Sequence, residues 1–506
     1  MLTPVPAPAG LLGDAVVSLP DATWRKTQVA IGGIVMLAPP TFGGLLGAFA
    51  HVPALAGVVD GASPAYTVLG DHERWVVAVH VITAARARST LLEASEGTGP
   101  PFRVESHADG IDVLKGTGPT WLGLAGTWVL VGSDREAIVA LGPYAYRTLP
   151  TRAPPSAAIG FTATGAALAG PIRAELVRRA GDFKQFLIDK DDEQRRAHGG
   201  RAPDLADPKP IIAIADGLAT RAIDVVTAMQ AVELTLDVQE DAIDAHVTMT
   251  PPPSAESTAR AWVDGLVGGA PTPLEAASAD AIATLFWHST AVEHEASAKA
   301  VSDLLADALG TRVPAADVRQ LADLLARAAR ARGDWAMASV TAGALPGLVV
   351  RVAATDAPKL TSSIEEAVDV VRKPAWVKWE ADALSVTKVD RTGPLATLDA
   401  DGTRVQATWA ARASEVDFAA GLNATAMLAA GGYPRTLATD PKTSPWLRAI
   451  GADVVWAIAA RPLMLNSPLR LDPACVALTA SHHTAEGRAR VSGIIVRQLV
   501  TGQWSK

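Results

Sequence analysis

Cysteine is almost absent from this chain: Cys475 stands alone in 506 residues. An intrachain disulfide is therefore impossible, and the count argues against a cysteine-built zinc or iron–sulfur site. The alternating run Ala474-Cys475-Val476-Ala477-Leu478 instead places the thiol in a buried strand. Charge is also scarce, at 19% of residues against a usual quarter. Lys and Arg occur singly or in pairs, the net charge is −8 and the pI is near 5.7. That balance gives no electrostatic footprint for nucleic acid and disfavours attraction to an anionic membrane surface. With 49% hydrophobic residues the chain has ample material for packed cores, and its length calls for more than one domain. No uninterrupted apolar run reaches the roughly 20 residues that span a bilayer.

Familiar catalytic signatures are missing too. The sequence holds no phosphate-binding loop, no His-Glu-x-x-His, no Gly-x-Ser-x-Gly and no dinucleotide-binding glycine pattern. No basic stretch followed by an apolar core opens the chain. Instead Pro4, Pro6 and Pro8 stiffen a Pro/Ala-rich tether over residues 1–11, of the kind that follows an export signal or a lipid-anchor site. The expected location is the cell envelope, periplasmic or lipid-anchored, with the cytoplasm as the alternative.

What the sequence does contain is an internal repeat. Ala108-Asp109-Gly110-Ile111-Asp112-Val113-Leu114-Lys115 followed by Thr117-Gly118-Pro119 finds an echo in Ala381-Asp382-Ala383-Leu384-Ser385-Val386-Thr387-Lys388 followed by Thr392-Gly393-Pro394. Each copy continues with strands and a tight turn, at Gly126 or at Asp401-Gly402, the hairpin chemistry of type I′ turns. Strand 14–19 answers to 280–285, and strand 77–81 to 348–352. Further matches set 159–161 against 416–418 and 211–214 against 454–458. Both copies close on a long alternating hairpin, 232–250 and 476–495.

The expected fold is α+β: two tandem divergent copies of an antiparallel sheet, with helices on one face. The boundaries read 12–270 for the first copy and 271–506 for the second. The first copy carries an insertion of about 171–210, a charged helix and loop. The order of elements resembles uncharacterised exported or lipid-anchored bacterial proteins built from duplicated α+β units. That resemblance implies an envelope location and carries no site residue.

The copies part company between their opening strands. In the second, Val301, Leu304, Leu305 and Leu309 form one apolar stripe and Val318, Leu321, Leu324 and Leu325 another. In the first, residues 27–59 contain no Asp, Glu, Lys or Arg. The pair Pro39-Pro40 divides this stretch into two short helical segments. A helix apolar all round must be shielded from water, by protein, by a partner or membrane, or as the lining of an apolar cavity. Ile34, Leu45, Leu46 and Phe49 are the candidate contact residues, with Ile31 and Val35 sharing the segment. Gly43-x-x-x-Gly47 permits close approach of another backbone.

Three polar groupings contain residue types suited to chemistry. His288, Glu293, His294 and Glu295 bring together metal-ligand types, but positions 288 and 294 point to different helix faces, and a solvated helix start is the simpler reading. His482-His483 lies in an alternating strand or at a hairpin tip. Asp399-x-Asp401-Gly402 opens like a calcium loop, yet Thr408 stands where the closing Glu belongs. No catalytic, metal-binding or cofactor-binding residue is assigned and no cofactor is expected. Thirteen Trp against eight Phe and four Tyr skew the aromatics, and Trp75, Trp121, Trp128, Trp335, Trp376, Trp379 and Trp409 fall on or beside strands, mostly as core. The leading functional expectation is a non-catalytic envelope protein that binds a protein partner or an apolar ligand. A soluble enzyme with a dispersed site and a structural assembly subunit are the alternatives.

Overall fold

In the computed structural model the chain is α+β, and every strand ladder is antiparallel. The structure describes residues 3–93, 100–116, 118–197, 209–254, 256–309, 313–341, 347–376, 386–400, 403–429, 433–461, 472–481 and 483–501. The chain divides into two compact units. One comprises residues 1–174, 225–264 and 483–506; the other comprises 175–224 and 265–482.

The first unit contains β1 (Leu11–Val17), β2 (Ala65–Gly70), β3 (Trp75–His80), β4 (Arg103–Ala108), β5 (Ile111–Lys115), β6 (Trp121–Ala125), β7 (Trp128–Gly132), β8 (Ile159–Thr164), β9 (Ala231–Val238) and β10 (Ala242–Thr250). Their order across the sheet is β4-β5-β6-β7-β3-β2-β1-β8-β9-β10. Its helices include α1 (Pro20–Ile31), α2 (Phe42–Ala50), α3 (Ala84–Leu92) and α4 (Arg135–Pro143). The β4–β5 hairpin turns through Asp109 and Gly110, both with positive φ, as a type I′ turn requires.

Helices cover both faces of this sheet, not one. Every residue of β7 is buried: Val129 and Val131 pack with Leu46, Leu55 and Leu91, whereas Trp128 and Leu130 pack with Ile138 and Leu141 of α4. A strand buried on both sides reads as a continuous apolar run, which hides the alternation that a one-sided sheet would show. Gly132 lets α4 settle, since a Cβ there would lie 2.8 Å from Ile138.

Residues 175–224 hold most of α5 (Arg173–Ala197) and α6 (Lys209–Thr227) and group with the second unit. Residues 211–214 are therefore helical. The β-branched cluster Ile211-Ile212-Ala213-Ile214 looks like strand, but Leu218, Ile223 and Val225 continue it at helical spacing behind Pro210.

The second unit contains β11 (Ala281–His288), β12 (Arg332–Thr341), β13 (Gly347–Ala354), β14 (Val386–Thr392), β15 (Leu395–Ala400), β16 (Thr403–Ala411), β17 (Glu415–Gly421), β18 (Val454–Ala460) and β19 (Ala474–Ser481). Their order is β14-β15-β16-β17-β13-β12-β11-β18-β19. Adding ten to each number of the first unit's order gives this one, as far as β19.

The matched order corrects three sequence pairings. Residues 416–418 lie in β17, which flanks β13 as β7 flanks β3, so β8 is not their counterpart. Strand β18 answers to β8, since each flanks the unit's opening strand. The β4–β5 turn at Asp109-Gly110 answers to the β14–β15 turn at Gly393-Pro394. Residues 381–385 and 401–402 lie outside the described residues.

Helices α7 (Ala291–Leu309), α8 (Ala315–Ala331) and α9 (Ala357–Val371) pack around Leu321, Leu324, Val370 and Trp376. Val301, expected in the apolar stripe of α7, is exposed. A second core gathers Phe286, Met337, Cys475 and residues of α10 (Ser444–Ile450), including Trp446 and Ile450. The last strand, β20 (Thr484–Ser492), belongs to the first unit and pairs along β10. Arg490 grips Asp244 through two bonds of 2.7 and 2.9 Å, and His246 meets Glu486 at 3.0 Å. The following helix α11 (Gly493–Thr501) packs on α1.

Candidate functional site

The charge-free stretch lies in the first unit, and its path follows from its glycines and prolines. Gly32 and Gly33 both take positive φ and end α1. A 3₁₀ turn follows over Gly33–Leu37, then the break at Pro39-Pro40. Thr41 caps α2, accepting from the Gly44 amide at 3.1 Å. His51 closes α2 in the left-handed region. Arg497 of α11 donates to the Ile31 carbonyl and lies against Gly32 and Gly33, where a Cβ would collide with it.

Helix α2 is held by one face only. Gly43, Leu46, Gly47 and Ala50 are buried at spacings of three and four, the stripe that one side of a helix presents. The Gly43-x-x-x-Gly47 spacing serves packing within the segment. A Cβ at Gly43 would stand 3.0 Å from the Leu55 carbonyl and Val59, and one at Gly47 would stand 2.8 Å from the Val52 carbonyl. Leu46 is 5% exposed, Leu45 is half-buried, and Phe49 is 64% exposed. Phe49 leans on Trp75 with ring centroids 5.4 Å apart. The side chain of Ile34 lies outside the described residues. Just beyond it, Met36 is 55% and Leu37 85% exposed.

The backbone beneath these exposed side chains is hydrogen-bonded internally. Gln28 donates its amide to the carbonyls of Val35 (3.2 Å) and Ala38 (3.1 Å), and Trp24 donates its indole N–H to that of Pro39 (2.7 Å). The Phe42 amide donates to Asp21 at 2.7 Å. Side chains of α1, the buried Gln28 and the half-buried Trp24 and Asp21, thus satisfy polar groups that the apolar segment cannot satisfy itself.

The polar groupings separate. His288 ends β11, whereas His294 lies on α7 and is buried, contrary to the solvated helix start expected of it. Its Nε2 meets Ser289 Oγ at 2.7 Å. Burial, and then the nearby Arg332 guanidinium, push its pKa below the ordinary histidine value, with Glu293 opposing them. Glu293 itself accepts from the Thr290 amide at 2.6 Å, while Thr290 Oγ accepts from the Glu293 amide at 3.3 Å, a reciprocal cap. His483 sits in an exposed turn, 3.3 Å from Arg260, and His482 lies outside the described residues. Asp399 is paired with Arg404 at 2.9 Å across the β15–β16 hairpin. Among the described residues no three His, Cys, Asp or Glu side chains gather to hold a metal, and no helix is long and apolar enough to cross a membrane.

No protein family and no curated protein matches the chain. Among solved structures, crystal forms III, I and IV of TP0453 are similar to it at 11%, 10% and 11% identity. They cover 45%, 46% and 48% of this chain and 97%, 98% and 99% of their own, with TM-scores of 0.24, 0.21 and 0.23. A likeness this weak carries no argument about function.

Sequence reasoning found the segment through its lack of charge but not its exposed tip. Met36 and Leu37 differ from the half-buried Val35 and Ala38 beside them in nothing local. Only the path of the chain after Gly32-Gly33 turns them outward.

Proposed function

We propose that this is a non-catalytic protein of the cell envelope that binds an apolar ligand, a lipid surface, through the first unit. Met36, Leu37 and Phe49 make the contact. The reading is carried by one observation: on either side of the exposed Met36 and Leu37, the carbonyls of Val35, Ala38 and Pro39 are already bonded to Gln28 and Trp24. Hydrocarbon tolerates only backbone whose polar groups are met internally, so these three bonds lower the cost of bringing the tip to lipid. Contact would come from apolar area, since the chain's charge gives no electrostatic pull. The common strand order of the two units supports their descent from one duplicated sequence with a join near residue 270.

Co-sedimentation with phosphatidylcholine vesicles tests the reading. The wild-type chain should pellet with the vesicles, and the double variant Leu37→Asp, Phe49→Asp should stay in the supernatant with its melting temperature nearly unchanged. Equal recovery of both proteins in either fraction would sink the proposal.

A further inference from the structure

The second unit carries a cleft of about 530 Å³ that the proposed lipid contact leaves unused. Its volume falls within the range of small-molecule pockets. One wall is the segment beginning at Gly269 and including Thr272. The other is the end of the sheet, with His288 on β11, Asp334 and Trp335 on β12, Arg351 on β13 and Glu415 at the start of β17.

The sheet is deformed at this point. The β11–β12 ladder sets His288 opposite Trp335, but the β12–β13 ladder slips between Arg332 and Ala336. The slipped residues include Asp334 and Trp335, and a bulge of this kind re-aims side chains beside a site.

His288 has a fixed tautomer. Its Nδ1 lies 3.1 Å from the Asp334 carbonyl, which can only accept, so Nδ1 carries the proton and Nε2 is left as an acceptor. Nε2 is buried and has no hydrogen-bond partner. It lies against Gly269, where a Cβ would come within 2.6 Å of it.

We infer that this cleft binds a neutral, polyhydroxylated ligand of the sugar class. Its polar groups are of both kinds: Arg351, the Trp335 indole and the Thr272 hydroxyl can donate, while the Asp334 and Glu415 carboxylates accept. The nearest carboxylate to Arg351 is Asp417, whose Oδ1 is 3.6 Å from Nε, beyond hydrogen-bond reach. An anionic ligand would meet Asp334 and Glu415 head-on, and an ammonium ligand would leave the Arg351 N–H groups unmatched. Each hydroxyl of a sugar donates and accepts at once and so suits the mixture. Trp335, which lines the cleft and packs on Phe286 with ring centroids 6.4 Å apart, supplies apolar surface for the C–H side of a pyranose.

Saturation-transfer NMR and calorimetry on the full chain test this, with methyl glucoside, N-acetylglucosamine and lactose as sugar probes and inorganic phosphate and tetramethylammonium as contrasts. At least one sugar should bind and neither ion should. Trp335→Ala should weaken sugar binding about tenfold or more. Asp334→Asn guards against misfolding, because Asp334 is exposed, and should weaken binding at least threefold or so with the melting temperature unchanged. Leu37→Asp in the other unit should leave sugar binding as it is. Binding of an ion without a sugar, no binding of any probe, or sugar binding untouched by both cleft variants would each overturn the assignment.

Discussion

Between β1 and β2 the first unit runs a segment with no charged side chain from Thr27 to Val59; between β11 and β12 the second unit runs α7 and α8, studded with Glu293, Glu295, Lys299, Asp303, Asp317, Arg319, Asp323 and Arg327. Both connections occupy the same place in the strand order, so the sheet does not dictate the difference. The second unit solves the connection as ordinary surface helices do, with Leu321 and Leu324 inward and charges outward. The first unit anchors α2 through small residues and exposes large apolar ones at Leu37 and Phe49. Water gives no reason to keep such side chains outside; α7 exposes the smaller Val292 and Val301 singly among its charges, whereas Met36 and Leu37 are adjacent in a charge-free segment, which is why that segment reads as a contact surface.

The largest expected effect is at Leu46. Leu46→Asp places an unpaired charge in the core of the first unit and should cost about 3–5 kcal/mol, read as a large drop in melting temperature. Leu37→Asp, nine residues earlier, should stay within about 0.5 kcal/mol of wild type. Equal losses would erase the distinction between the anchored and exposed faces. In the second unit Leu324→Ala should cost roughly 2–4 kcal/mol in chemical denaturation, as a buried leucine does. A cost near zero would mean that α8 is held by something other than its apolar stripe.

A smaller effect should appear with pH. The folded pKa of His294 is depressed, by burial first and Arg332 second, below the ordinary value of 6.5. Stability from a group of this kind is full above the unfolded value and is lost as pH falls through the folded one. The melting temperature should therefore decline from pH 7 toward pH 5, and His294→Gln should flatten part of that slope. His80, lowered in the same direction by burial, should supply some of the remainder. An unchanged slope in the variant would remove His294 from the account. Smallest of all, Lys299→Ala breaks an exposed pair with Asp303 on α7 and should change stability by less than about 0.5 kcal/mol.

Much of the fold was legible because its signals are local. Gly126 announced the β6–β7 hairpin, and the opening strand and the strand at 77–81 could be matched with their counterparts by pattern alone. Elsewhere local patterns misled. Ile211-Ile212 reads as strand yet lies in a helix, because short β-branched runs fit either period. Residues 416–418 were set against the wrong strand, because sequence similarity gives no neighbour in a sheet. Strand β7, buried on both faces, concealed the second helical layer. The assignment of β20 to the first unit depends on a ladder between residues about 240 positions apart, for which no local signal exists. At the candidate site, absence of charge singled out the segment, but exposure of Met36 and Leu37 depends on the turn at Gly32-Gly33. The cleft residues, from Gly269 to Glu415, share no motif at all.

The lipid contact is best probed by hydrogen exchange of the full chain with and without phosphatidylcholine vesicles. Amides of residues 33–50 should gain protection when vesicles are added, while those of α7 and α8 should not change. Protection confined to the second unit, or no gain anywhere in 33–50, would contradict that contact.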